Sequence, residues 1–136
     1  MNWEEGQIRT LTGTGAGNAN ISISPGAYKK WKLMYGFIKI VCDATVANRT
    51  VKFRVADASN VILTNTMLSG AVTASATLSV YVEGAPSQYM ATVTNESTGM
   101  VKEFIVQGTD KFYISITNGV AGDVVTYNLR VIELPA

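Results

Sequence analysis

Residues 31–57 constrain the fold most, because they combine one long apolar stretch with a second stretch that alternates. Residues 31–43 read WKLMYGFIKIVCD, with apolar side chains at both odd and even positions. Successive strand residues point to opposite faces, so this pattern predicts a strand that is buried on both sides. Residues 51–55 read VKFRV, which predicts a strand with one buried and one wet face. The β-branched and aromatic content disfavours a helix.

The rest of the chain repeats short alternating stretches that are separated by glycine, proline, asparagine and aspartate. Further strands are predicted at residues 21–24, 61–68, 73–83, 89–93, 101–106, 112–117 and 124–134. About eight strands and no helix, in a chain of 136 residues, predict one all-β domain. We predict a single antiparallel β-sandwich that is jelly-roll-like.

The first twenty residues differ from the rest of the chain. Trp3, Ile8 and Leu11 are apolar positions in a polar segment, and three closely spaced glycines follow them. We therefore predict an extended N-terminal arm over residues 1–20 and a β-sandwich domain over residues 21–136. Two interpretations of the arm remain open: a flexible terminus, or a segment whose Trp3 docks on another subunit.

The composition excludes several kinds of chemistry. The chain has no histidine, and Cys42 is its one cysteine, so histidine catalysis, thiolate metal clusters and an intrachain disulfide are excluded. The acidic residues fall mostly at turns, where they usually bond their own backbone. The net charge is +1, which gives no electrostatic case for nucleic acid or an anionic membrane. We expect no enzymatic activity, no catalytic residue, no metal or other cofactor, no signal peptide and no membrane span.

Aromatic side chains recur along the predicted strands. They are Trp31 and the tyrosines at positions 28, 35, 81, 89, 113 and 127. Two interpretations stay open: core or subunit contacts, and a platform for carbohydrate.

Three segments together resemble a known group of proteins. Residues 31–33 lead into the long strand, residues 43–49 (DATVANR) precede the alternating strand, and residues 121–133 contain the last turn and strand. This pattern is similar to small β-sandwich virion structural proteins of tailed bacteriophages and prophages, of the head-decoration, cement, minor capsid, neck or tail-accessory type. The resemblance covers residues 31–133 and leaves out the N-terminal arm.

The resemblance implies a non-enzymatic virion protein that is made in the host cytoplasm. The specific expectation is a capsid decoration or cement protein that binds and stabilises the assembled head through its arm and sandwich edges. Its partners would be the major capsid protein or other virion proteins, and copies of itself, with a trimer as one possible form. The interface residues we predict are Trp3, Ile8, Leu11, Trp31 and Tyr35. The alternative is a carbohydrate- or receptor-binding module of a phage fibre, neck or tail.

Overall fold

A computed structural model describes residues 3–63, 67–83 and 104–136 of the protein. This part of the chain contains one 3-10 helix, η1, and nine strands. Their bounds are η1 Trp3–Glu5, β1 Gln7–Ala16, β2 Ile21–Ile23, β3 Gly26–Val41, β4 Thr50–Ala56, β5 Met67–Leu68, β6 Thr77–Glu83, β7 Ile105–Gly108, β8 Lys111–Thr117 and β9 Val124–Pro135. The strand predicted at residues 89–93 and the start of the one at residues 101–106 lie outside the described residues.

The strands form two antiparallel sheets. Sheet A has the order β1-β9-β3-β6, with β7 also paired to β3, and sheet B has the order β2-β8-β4-β5. Eight of the strands thus make two four-stranded rows in the arrangement of a jelly roll. The predicted all-β antiparallel sandwich is confirmed.

The core lies between the two sheets and is centred on aromatic rings. Phe53 of β4 contacts Phe104 edge-on and stacks on Phe112 of β8, at centroid distances of 5.3 and 5.6 Å. Trp31 of β3 stacks on Phe112 from the other sheet at 6.4 Å. The buried positions of β4 are the apolar ones of the VKFRV alternation, as the sequence predicts.

Strand β3 has one buried face, so the prediction that it is buried on both sides is wrong. Its register against β9 shifts between Leu33 and Tyr35. Trp31 and Leu33 are buried before this bulge, and Ile38 and Ile40 are buried after it. A bulge inserts one extra residue and so exchanges the odd and even positions between the two faces. Apolar residues of both parities therefore face the same core, and Tyr35 lies on the outer face with 51% of its surface exposed.

The first twenty residues were predicted as an arm, and the structure places most of them in η1 and β1. β1 pairs with β9 over its whole length, and Leu11 lies opposite Leu129 and packs on the core. The glycines that suggest a flexible joint have a packing role instead. A Cβ at Gly13 would lie 2.6 Å from Cζ of Tyr127, its partner residue in β9. Among the strands of the described residues, β1 pairs with β9 alone and is an edge strand of sheet A.

The strand predicted at residues 61–68 is reduced to the two residues of β5 in the described part of the chain. The preceding turn is fixed by Asp57, whose Oδ1 accepts hydrogen bonds from the backbone N–H groups of Ser59 and Val61. Asn60 has a φ of 67°, in the left-handed region that asparagine tolerates. Ile62 then bridges Ala56, and the backbone N–H of Leu63 donates to the carbonyl of Val55 at 2.8 Å. The turn therefore joins two antiparallel segments, since β5 also pairs with β4 at Phe53 and Lys52.

Candidate interaction surface

The outer face of sheet A, which points away from sheet B, carries a shallow groove with aromatic walls. Register places Asn128, Phe37 and Tyr81 side by side on β9, β3 and β6. Arg130 and Tyr35 form the neighbouring row. These five residues, with Gly36 and Val82, line a groove of about 520 Å³, which we call the aromatic groove.

The two tyrosines of the aromatic groove are unusually open to solvent for strand residues. Tyr35 is 51% exposed and Tyr81 is 75% exposed, while Phe37 between them is half-buried. The guanidinium of Arg130 lies 5.8 Å from the ring centroid of Tyr35. A cation over a ring face is attracted by the ring quadrupole. The groove therefore combines flat apolar surface with one fixed positive charge.

The open edge of β1 is the second candidate surface. Over ten residues it contains no lysine and no proline, the residues that usually protect an exposed edge from pairing with another chain. Its one charged side chain, Arg9, already contacts Glu133 at 3.1 Å. Ile8 projects from it with 59% of its surface exposed. The edge can therefore accept another strand.

Trp3, a predicted interface residue, lies in η1 and is half-buried against its own sheet. The ammonium groups of Lys30 and Lys32 on β3 lie 5.2 and 5.9 Å from its ring centroid. The backbone N–H of Gly6 donates to the carbonyl of Trp3 and closes the short helix. Whether Trp3 also contacts a partner stays a prediction.

Trp31, also predicted as an interface residue, is buried in the core between the sheets. Only 6% of it is exposed, and its Nε1 donates to Oε1 of Glu133 at 2.9 Å. Leu11 is half-buried against the core. Of the five predicted residues, Ile8 and Tyr35 are well exposed, and the register puts both on the outer face of sheet A.

A charged cluster at the end of the sandwich was not predicted from the sequence. Arg49 and Asp123 are both fully buried, and Nε and Nη2 of Arg49 donate to the two carboxylate oxygens at 3.0 and 3.1 Å. Nη2 also donates to Oδ1 of Asp43 at 3.1 Å. Backbone N–H groups of Asp43 and Val120 donate to the same Asp123 carboxylate. The cluster ties the end of β3 and the start of β9 to the start of β4.

These contacts perturb three ionisable groups. Burial opposes ionisation of Asp123, but the bonds from Arg49 and from the backbone of Val120 and Asp43 outweigh it and lower the pKa of Asp123. The bond to Asp123 raises the pKa of Arg49. Burial raises the pKa of the neighbouring Cys42 thiol. Each of the three guanidinium nitrogens of Arg49 has an acceptor, so we interpret the cluster as a structural clamp rather than a reactive site.

No group of three or more histidine, cysteine or acidic side chains that could hold a metal ion is found in residues 3–63, 67–83 and 104–136. Within the same ranges, no helix has the length and apolar character needed to cross a membrane.

Comparison with known proteins gives a structural likeness but no sequence match. No protein-family model matches the chain, and no curated protein matches it in sequence. Among solved structures it is similar to the SPP1 Dit (gp 19.1) protein, described as a paradigm of the hub adsorption apparatus in phages that infect Gram-positive hosts. The TM-score is 0.43 at 11% identity, with 90% of this chain and 47% of that chain covered. The chain thus spans about half the length of that protein, and a likeness at this level assigns it to no family.

Proposed function

We propose that this protein is a non-enzymatic structural protein of a bacteriophage virion that attaches through the open edge of β1. The observation that carries the proposal is the unprotected edge, ten residues long and regular along its whole length. Within residues 3–63, 67–83 and 104–136 no strand pairs with its outer side, which suits strand addition, in which main-chain hydrogen bonds supply affinity. The sequence resemblance to phage virion proteins supports the same class.

The specific role we propose is capsid decoration, with the major capsid protein as partner. Many copies on a repeating shell can each bind weakly and still give strong attachment in total, because the binding free energies of linked contacts add. Ile8, exposed beside the edge, would add apolar contact to the strand pairing. Binding of this kind bridges neighbouring shell subunits and resists their separation.

The position on the particle is tested by quantitative mass spectrometry of purified virions from the source phage or prophage. Copy number comparable to that of the major capsid protein is the expected result. A copy number far lower than that would refute decoration and favour the neck, the tail or a fibre. Absence from the particles would refute the virion proposal altogether.

The edge itself is tested with the double variant Thr12→Lys/Thr14→Lys. Both threonines are exposed on β1, and lysine on an edge strand disfavours pairing with a further strand. We expect loss of binding to particles that lack the protein, with an unchanged melting temperature. The matched control is Thr45→Lys/Thr109→Lys, which adds the same charge at exposed positions outside β1. Equal binding by both double variants would show that β1 is not the attachment edge.

A further inference from the structure

The two tyrosine rings of the aromatic groove are largely exposed and lie outside the core between the sheets. Tyr81 has three quarters of its surface in solvent, so burial of its ring contributes little to folding. Tyr35 lies two residues before Phe37 on β3 and Tyr81 lies opposite Phe37 on β6, so the three aromatic side chains are neighbours in the groove. An aromatic ring face carries partial negative charge. The C–H groups of a pyranose ring, which are apolar and slightly positive, complement such a face.

The size of the apolar area favours a small ligand over a protein. The next row along the sheet, Thr126, Lys39 and Ser79, is polar. The groove volume of about 520 Å³ lies within the range of roughly 300–1,000 Å³ that is usual for small-molecule sites. A standard protein interface covers about 800 Å² on each partner and needs a wider apolar centre.

The positive charge of Arg130 in the aromatic groove favours an acidic ligand. In the described part of the chain, the Arg130 guanidinium contacts the ring of Tyr35. Its planar fork matches a carboxylate through two parallel hydrogen bonds. Glu83 is placed by register on the far side of Tyr35 from Arg130, two strand spacings or about 10 Å away. Asn128, in the neighbouring row, adds an amide that can bond a hydroxyl group.

From these observations we propose that the aromatic groove binds an acidic saccharide, with a hexuronic acid as the recognised unit. The sugar ring lies over Phe37 between Tyr35 and Tyr81. Its carboxylate pairs with Arg130, and Asn128 bonds a neighbouring hydroxyl. The aromatic groove lies on the outer face of sheet A beside β1, whose Thr10 and Thr12 pair with Arg130 and Asn128. The proposal concerns this face and not the backbone edge of β1, so it is tested on the isolated protein.

The test is a titration of the full ¹⁵N-labelled chain with trigalacturonic acid, followed by amide chemical shifts. Its methyl ester, which keeps the sugar rings and removes the charge, is the matched probe. We expect the acid to shift the amides of Tyr35, Phe37, Tyr81 and Arg130 and the ester to bind at least tenfold more weakly. Equal shifts with the ester would overturn the role of Arg130. No shift with either probe at millimolar concentration would overturn the site.

Two variants and their controls locate the site. Tyr81→Ala and Arg130→Gln are each expected to weaken binding of trigalacturonic acid at least tenfold. Tyr28→Ala removes a tyrosine that is 83% exposed, seven residues or roughly 20 Å earlier on β3. Lys52→Gln removes a cation from the other sheet. Both controls should bind as the wild type does, and a loss in either that equals the loss in Tyr81→Ala would refute the assignment.

A protein partner for the same surface gives a different result. If copies of the chain meet through the aromatic groove, its amides shift with protein concentration in the absence of sugar, and sedimentation shows a larger species. That result would replace the saccharide by a second copy of this chain and overturn the proposal.

Discussion

Replacing Asp123 by asparagine tests the buried charged cluster with the smallest change of shape. The carboxylate accepts four hydrogen bonds, two at each oxygen. Oδ1 accepts from Nη2 of Arg49 at 3.1 Å and from the N–H of Asp43 at 2.9 Å. Oδ2 accepts from Nε of Arg49 and from the N–H of Val120, both at 3.0 Å. An amide replaces one of these oxygens by a donor, so two donors lose their acceptor whichever way the side chain is turned.

The expected loss in the free energy of unfolding follows from the two donors that lose their acceptor. A buried donor without an acceptor costs about 1–3 kcal/mol, so two of them amount to about 3 kcal/mol. This lies at the lower end of the 3–5 kcal/mol that is typical when one partner of a buried ion pair is removed. The lower end is appropriate because Asp43 still accepts from Arg49 and its side chain is 33% exposed to water.

The pH dependence of the same variant has a definite sign. The pKa of Asp123 is lower in the folded protein than its usual value near 4. Its stabilising contribution is therefore complete above that unfolded value and is lost as the pH falls through the folded pKa. We expect the difference between wild type and Asp123→Asn to be largest at pH 7 and to shrink in acid.

The assay is urea unfolding followed by tryptophan fluorescence at pH 7 and at a series of acidic pH values. Asp57→Asn is the matched control, because that half-buried turn residue can keep its backbone bonds through an amide oxygen. We expect the control to change stability by less than about 0.5 kcal/mol. An equally small change in Asp123→Asn, or a difference that grows in acid, would refute the reasoning.

Two further predictions concern packing. A Cβ at Gly36 would lie 2.8 Å from Cα of Leu129, so Gly36→Ala should cost about 1–3 kcal/mol in thermal unfolding. Gly70→Ala, where nothing lies within 4 Å, is the control, and equal losses would contradict the crowding. Cys42 is 5% exposed and has a raised pKa, so it should react with a disulfide reagent only as fast as the protein unfolds. Complete reaction within seconds in native buffer would show that the thiol is accessible.

The residues that repeat with a strict period of two were the ones that sequence analysis could place. Val51, Phe53 and Val55 are each 1% exposed, as their alternation with lysine and arginine predicts. The long strand was harder because a bulge is a local change of register. Residues 31–43 are apolar at both odd and even positions. The same pattern fits a strand with two buried faces and a strand with one buried face, whose residues change from odd to even positions at a bulge.

The candidate surface was predictable only in part. Tyr35 could be named from its strand, but Arg130 comes beside it through pairing between β3 and β9, which sequence periodicity does not specify. The charged cluster was missed for a similar reason, because Arg49 and Asp123 are 74 residues apart. Its one visible signal was an arginine and two aspartates inside the segments that carry the family resemblance.

The pairing of β1 with β9 also affects how the chain is made. Arg9 and Glu133, which meet across these strands, are 124 residues apart in sequence. A ribosome adds about 5–20 residues per second, so β1 waits roughly 6–25 s for its partner during synthesis. Contacts between such distant segments also slow the folding of the finished chain. For that time β1 offers both of its edges to neighbouring nascent chains, and the absence of lysine and proline leaves it open to premature association.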